Sequence, residues 1–483
     1  MTTFIISIIL LILGYAVYSK LIERMLGVDP ARPTPATTMA DGVDYVPMKP
    51  WKVFLIQFLN IAGIGPICGA IMGAQFGTSS FLWIVFGSIF AGAVHDFVSG
   101  YMSLRDKGAN LPDIHSKYLG DGVRIPGRVF MIVLLVLVGV VFVSTPATLL
   151  NANFTPSWNS LWWIVIILAY YLLATLLPID KVIGKIYPLF GILLIAMAVG
   201  IVGAFLYYQP AIPELWQGLD NHHPDAAHSP IFPMMFISIA CGAISGFHAT
   251  QSPLMARCMV SEKQARPIFY GAMITEGVVA LIWAAAAAYF FGPESPVDTT
   301  GKGGPAMVGI IANHWFPEFV AVVMILGVIS AAITSGDTAM RSARLIVADM
   351  FHFDQKPIRN RLLIAVPLFA IVAGGLVFSL TNKDGFEVIW RYFAWCNQLL
   401  SVFTLWAVTV YLTRKGKCYW VSMVPALFMT MVTTCFILVA EKEGLGAFIP
   451  RTVGYALGGL ATLACAIRFF TWKKKVAPDT IEQ

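Results

Sequence analysis

Thirteen apolar stretches, at approximately 3–24, 52–78, 81–104, 128–150, 161–178, 185–208, 232–255, 269–291, 318–345, 361–380, 391–412, 420–440 and 450–471, dominate this 483-residue chain. Most approach the roughly 20 residues a helix needs to cross the hydrocarbon core of a bilayer. Only 12% of residues are charged against 58% hydrophobic, a balance that a soluble domain of this length does not keep. The chain therefore reads as an all-α polytopic membrane protein with about 13 transmembrane helices. The first stretch, "MTTFIISIILLILGYAVYSK", lacks a basic leader and a small-residue cleavage site and reads as a retained span.

Placement of lysine and arginine sets the expected orientation. With the N-terminus outside, all but Lys302, Lys383, Arg391, Lys442 and Arg451 of the 32 basic residues fall in inner loops or the C-terminal tail. A multi-pass protein of the inner (plasma) membrane, N-terminus outside and C-terminus cytoplasmic, is expected. The net charge of +6 then describes a face meeting anionic lipid, not a nucleic-acid partner. The seven cysteines form no CxxC pair, so neither a disulfide framework nor a zinc site is indicated.

Two spans interrupt themselves. Residues 60–77, "NIAGIGPICGAIMGAQFG", place Gly63, Gly65, Pro66, Gly69 and Gly73 inside an apolar stretch, and residues 239–253, "IACGAISGFHATQSP", do the same with Gly242, Ser245, Gly246, His248, Ser252 and Pro253. Lipid offers no partner to backbone groups freed by a break, so a break points to a protein or ligand contact. Small residues also serve close helix packing in GxxxG fashion. The two breaks, however, open two runs of five spans of opposite direction, which is the pattern of inverted-repeat secondary transporters with midplane sites. The expected division is 1–51, a peripheral helix and cytoplasmic loop; 52–208 and 232–412, the two repeats; 420–471, two peripheral helices; and 472–483, a tail.

These stretches, with "LWIVFGSIFAGAVHDFVSGYMSLRDKG", "YGAMITEGVVALI", "GVISAAITSGDTAMRSARLI" and "NQLLSVFTLWAVTVYL", resemble the carbon starvation protein CstA family over spans 2 to 11. The resemblance implies a transporter of the amino acid/polyamine/organocation superfamily with a LeuT-like 5+5 inverted-repeat core. Known members are associated with uptake of peptides and of pyruvate, so a small-molecule or peptide substrate is implied.

Ionisable residues inside spans are functional candidates by default. His95 and Asp96 lie in span 3, Glu276 in span 8 and Asp337 in span 9, where each carboxylate is a candidate to carry a coupling proton. The plainer alternatives are ion pairs, Asp96 with Arg105 or Arg341 and Asp337 with Arg341 at i+4. Ala331, Thr334 and Ser335 share one helical turn, and their spacing resembles the sodium-binding span of LeuT-like transporters, in which carbonyls equivalent to Leu59 and Ala62 complete the set. Hydroxyls in a span also bond back to their own helix. His248, beside the second break, is expected to touch an anionic or peptidic solute, with Asn60, Gln75, Gln251, Gly63, Gly65, Pro66, Gly242, Ser245 and Gly246 around it and half-helix N–H groups at both breaks. Asn397 and Gln398 read as interhelical hydrogen-bonding groups. No cofactor is expected beyond Na+ or H+ as coupling ion. The loop "DNHHPDAAH" at 220–228 brings His222, His223 and His228 together; metal binding is one reading, a solvated loop the other.

An intramembrane enzyme would need HExxH, GxSxG or paired GxGD-type aspartates, which the sequence lacks. A channel or nutrient sensor is the remaining alternative; it would lack the inverted repeat or append a signalling domain.

Overall fold

The computed structural model describes residues 1–177, 179–382, 385–441 and 444–475, so Lys383, Lys442 and most of the tail 472–483 lie outside the described residues. Among the described residues the chain is helical with no strand. Ten helices among the described residues are long and apolar enough to cross a membrane: α1 (Thr2–Leu26), α4 (Ser79–Arg105), α6 (Asp121–Phe154), α8 (Tyr187–Tyr208), α11 (Glu262–Phe291), α13 (Glu318–Phe351), α14 (Ile358–Thr381), α15 (Val388–Arg414), α16 (Trp420–Val439) and α17 (Arg451–Lys473). The pair α2 (Pro50–Ile61) and α3 (Gly65–Ala74) forms one span bent by 51°. Apolar α7 (Leu161–Leu176) is shorter. The seventh apolar stretch is split into α9, residues 231–238, and α10 (Gly246–Ala256). Two connecting helices, α5 (Leu111–Leu119) and α12 (Gly304–Trp315), complete the order.

The most apolar window of α4 is 83% buried, whereas that of α17 is 17% buried and those of α1 and α14 are each 28% buried. An apolar helix with an exposed apolar face has only lipid to cover it, so α1, α14 and α17 form the rim and α4 belongs to the interior. The centre is built from α2, α3, α10, α11 and α13, with α6, α7 and α8 against α13 and α15 against α10.

The glycines of the first break are spacers between chain segments. A side chain at Gly69 would lie 2.7 Å from the Ser238 carbonyl at the end of α9, and one at Gly63 would lie 2.6 Å from Ser335 Oγ on α13. Gly65 meets Cys241 in the same way, and a Cβ on Gly242 would lie 3.8 Å from Pro66 Cα. The two breaks therefore face each other, and their small residues are what let them approach. Proline 253 behaves differently from the sequence expectation. It sits within α10, and the interruption ends at Ser245, whose extended backbone (φ −147°, ψ 123°) precedes the helix. Only the stretch 239–245 is unwound, where Gly242 packs on Ala280 and Gly246 on Leu400 and Ser401, upstream of the proline.

Candidate functional site

At the first break α2 ends with Ala62 at φ −76° and ψ 53°. The side chain of Asn60, two residues back, is fully buried, and neither of its amide atoms meets a hydrogen-bond partner among the described residues. Gln57, which shares its helix face at i−3, is in the same condition. A buried amide with no partner costs on the order of 1–3 kcal/mol, so two on one face mark a polar lining. Gln251 on α10, which packs on α2, donates to Thr250 Oγ1 at 2.8 Å and leaves its own Oε1 without a partner. Gln57 was not singled out from sequence, although a Gln three residues before an Asn in an apolar stretch is the signal that finds it. Gln75 lies at the opposite end of α3, about 15 Å along the helix from the break by helical rise, and is not brought to this lining.

The second break is satisfied. Asn397 Oδ1 on α15 accepts from the Phe247 N–H at 2.8 Å and from Ser245 Oγ at 3.0 Å, while its Nδ2 faces Cys241 Sγ at 3.4 Å. Gln398 Nε2 donates to the Ile244 carbonyl at 3.1 Å, and the His248 N–H bonds to the Ser245 carbonyl at 3.3 Å. The Phe247 and His248 N–H groups at the start of α10, expected to be offered to a solute, are thus already held by α15 and by the turn itself.

Beneath the second break lies a network with no exposed member: His95, Asp96, His248 and Glu276 are each 0% accessible. Asp96 Oδ1 lies 2.7 Å from His95 Nδ1 and Asp96 Oδ2 lies 2.9 Å from His248 Nδ1. Both imidazoles turn the same nitrogen to one carboxylate, so the arrangement fits an ionised Asp96 accepting two Nδ1–H bonds. His248 Nε2 then points at Glu276 Oε2 across 3.4 Å, and His95 Nε2 meets no partner. The sequence alternative for Asp96 fails because Arg105 pairs with Glu262 (Nε to Oε1, 2.6 Å). Asp96 and Glu276, from α4 and α11, are joined by the one histidine of α10. Gly87 of α4, where a Cβ would stand 2.8 Å from Ala243 Cβ, lets α4 close on the break and brings His95 and Asp96 within reach.

On the other side of the first break, Thr334 Oγ1 donates toward the Leu59 carbonyl at 2.9 Å and the Ala331 carbonyl at 3.0 Å, and Ser335 Oγ donates to the same Leu59 carbonyl at 3.1 Å. The contact of Gly63 with Ser335 sets the Ala62–Gly63 stretch against this hydroxyl pair. Four uncharged oxygens from α2 and α13 converge, a donor set suited to a hard monovalent cation. One turn on, Asp337 does not pair with Arg341. Its Oδ2 accepts from Tyr170 at 2.9 Å and its Oδ1 from Tyr187 at 2.7 Å. Arg341 turns instead to Asp44, Nη1 to Oδ1 at 3.4 Å, and to the carbonyls of Ala174 and Leu177. Arg344 joins the same Asp44 oxygen at 3.6 Å. Asp44 comes from the loop between α1 and α2, which folds into the basic end of the bundle.

At the opposite end lies a cavity of about 620 Å³, lined among others by Met72, Ile237, Trp390, Arg391, His223 and His228. His223 stacks on Phe76 with ring centroids 4.8 Å apart, and His228 pairs with Asp225 at 2.6 Å. Hydrogen bonding by Asp225 holds the His228 imidazole above its ordinary titration range. Among the described residues, no group of three or more His, Cys, Asp or Glu is placed to hold a metal ion, the loop histidines included.

An α-helical bundle with two apposed broken spans and a buried ionisable core defines the LeuT-like fold class. The chain belongs to the Carbon starvation protein CstA family, which matches residues 1–159, 129–315 and 300–435. It is 43% identical to a membrane protein of Haemophilus influenzae, over 63% of this chain and 95% of the relative. It is 26% identical to the peptide transporter CstA of Helicobacter pylori, over 98% of this chain and 85% of that protein. Identity to the pyruvate/proton symporter BtsT of Escherichia coli is 27%, over 57% of this chain and 47% of that protein. Among solved structures, a mutant of the Eremococcus coleocola manganese transporter matches with TM-score 0.60 at 12% identity over 90% of this chain and 99% of that one. MhsT in complex with L-phenylalanine matches with TM-score 0.55 at 12% identity over 87% and 98%. At such identities the likeness is one of fold. The family's named members are transporters, not enzymes.

Proposed function

We propose that this chain imports a small peptide or pyruvate across the inner membrane as a proton symporter, by alternating access, with its N-terminus outside and its C-terminus cytoplasmic. The observation that carries the reading is the closed chain Asp96–His248–Glu276 at the junction of the two breaks. Asp96 is engaged on both oxygens, so it anchors. The His248 Nε2 and the Glu276 oxygens make no hydrogen bond among the described residues, and Cys241 is the further polar side chain beside the imidazole, so this pair is the place where one proton can be held or released. Peptides and pyruvate both carry a carboxylate, and the partnerless amides of Gln57, Asn60 and Gln251 offer donors and acceptors to one. A solute docked there adds negative charge beside the imidazole and favours the protonated pair, which couples the two bindings.

A second reading, sodium coupling, is favoured by one specific observation, the convergence of Leu59, Ala331, Thr334 and Ser335 oxygens. The deciding experiment is uptake of labelled pyruvate and of a labelled dipeptide into proteoliposomes under imposed pH or sodium gradients. Accumulation of either solute driven by an inward proton gradient, and lost in Glu276→Gln while exchange between internal and external solute persists, is the expected result. Uptake without any gradient dependence would replace the symporter with the channel reading.

A further inference from the structure

Asp337 is the one carboxylate in the buried part of α13, and the network around His248 does not include it. Its surroundings are unusual for a charge. Tyr170 and Tyr187 meet its two oxygens, Tyr171 is spent on the carbonyls of Phe142 and Ala332, and Arg341, the nearest guanidinium along the helix, is committed to Asp44. Facing helices α2 and α6 bring Leu59 and Phe142 there, and on α10 Thr250 bonds Ser342 while His248 belongs to Asp96 and Glu276. Arg361 of α14 caps the Leu176 carbonyl.

The proton count at Tyr187 is informative. Its hydroxyl lies 2.7 Å from Asp337 Oδ1 and 2.8 Å from the Thr334 carbonyl, yet it has one proton. A carbonyl can only accept. If Asp337 is ionised, Tyr187 donates to it and the Thr334 carbonyl is left to its own helix and to the Thr338 hydroxyl, at 3.0 Å. If Asp337 is protonated, it donates to Tyr187, and Tyr187 donates to Thr334. Both states are fully hydrogen-bonded, so the site is bistable with respect to one proton. The same residue, Thr334, supplies a hydroxyl to the oxygen cluster. Asp337 and Thr334 are i,i+3 neighbours, about 5–6 Å apart at Cβ.

Resting on the reading of that cluster as a cation site, we propose that Asp337 is its ion selector: the four oxygens take a monovalent cation when Asp337 is ionised and reject it when Asp337 is protonated. The cluster itself contributes no charge, so a cation there depends on a neighbouring carboxylate to offset its desolvation. A cation in turn favours the ionised carboxylate, and linkage makes the antagonism reciprocal. Proton and sodium are then alternative occupants of one linked site, separate from the proton at His248 and Glu276.

The test is equilibrium binding of radiolabelled sodium to the purified full-length protein between pH 5.5 and 8.5, with choline as counter-ion control. One proton exchanged for one cation gives an affinity that tightens by up to about tenfold per pH unit over part of this range. Asp337→Asn is expected to bind sodium weakly and with no pH dependence. Tyr187→Phe, which keeps the ionisable group and removes one hydrogen-bond partner, retains a pH-dependent affinity displaced from that of the wild type, and serves if the asparagine variant does not fold. Wild-type sodium binding that is absent, or that is equal across the pH range, overturns the proposal. So does a pH dependence that survives in Asp337→Asn. Glu276→Gln separates the two readings: it is expected to lose uptake driven by a pH gradient and to keep the sodium–pH antagonism.

Discussion

The two breaks look alike in sequence and are opposite in structure. The second, at 239–245, is held by side chains of a neighbouring helix: Asn397 bonds Ser245 and Phe247, and Gln398 bonds Ile244. The first, at 62–64, is bordered by Asn60 and Gln57, whose amides meet nothing among the described residues, and by the hydroxyls of Thr334 and Ser335. A broken span must satisfy its freed groups somewhere. Both breaks do so within the protein, but the first also leaves the side-chain amides of Asn60 and Gln57 without partners among the described residues, the lining proposed above as receptor, while the second is scaffold.

The sharpest way to break this comparison is to remove the clamp. Asn397→Ala leaves the Phe247 N–H buried without its partner, at a cost of about 1–3 kcal/mol, and leaves the Ser245 hydroxyl only the weak Cys241 Sγ contact at 3.6 Å. The melting temperature of the purified protein should drop by several degrees, with uptake reduced in proportion to folded protein. Asn60→Ala, on the other break, should leave the melting temperature within about a degree and weaken solute binding tenfold or more, read by isothermal titration or by the KM of uptake. Equal melting losses in the two variants would erase the distinction between scaffold and receptor.

A smaller effect is expected at the oxygen cluster. Thr334→Ala removes one of the converging oxygens, and sodium-stimulated uptake should fall at least fivefold while uptake driven by a pH gradient changes less than twofold. Sodium stimulation that is unchanged would remove the first break from any ionic role. The smallest effect lies in the loop over the cavity lined by Met72 of α3 and Ile237 of α9. Because Asp225 raises the His228 titration point, with Glu441 also near, the ion pair stabilises the loop fully below pH 6.5, the ordinary histidine value. That stabilisation is lost as pH rises through the raised value. Limited proteolysis at 220–229 should accelerate with rising pH in the wild type and show little pH dependence in His228→Gln.

Much of the architecture was legible because membranes leave few options. Apolar lengths located the spans, and the glycines at 65 and 242 located the point where two spans meet. What was not legible depends on partners distant in sequence. Arg341 at i+4 from Asp337 reads as an ion pair on a helical wheel, but Asp44, about 300 residues away in sequence, claims it. The loop that carries Asp44 has no periodicity from which to place it. Tyr170 and Tyr187 were invisible for another reason: tyrosines in apolar helices read as packing, and only the structure turns their hydroxyls to Asp337. Pro253 misled in the opposite direction. It looks like the cause of the break and is a resident of the helix that follows it.

The burial of Asp44 between Arg341 and Arg344 has a kinetic consequence. Any rearrangement that parts α13 from the loop before α2 must uncover two guanidiniums at once, or carry the loop along as ballast. In the alternating-access cycle proposed above, the carboxylate would act as a brake pad on the basic end of the bundle, its grip setting how long the protein dwells closed on that side. Asp44→Asn slackens the brake without altering any group at either break: the dwell shortens, and the resting population drifts toward the form open at that end.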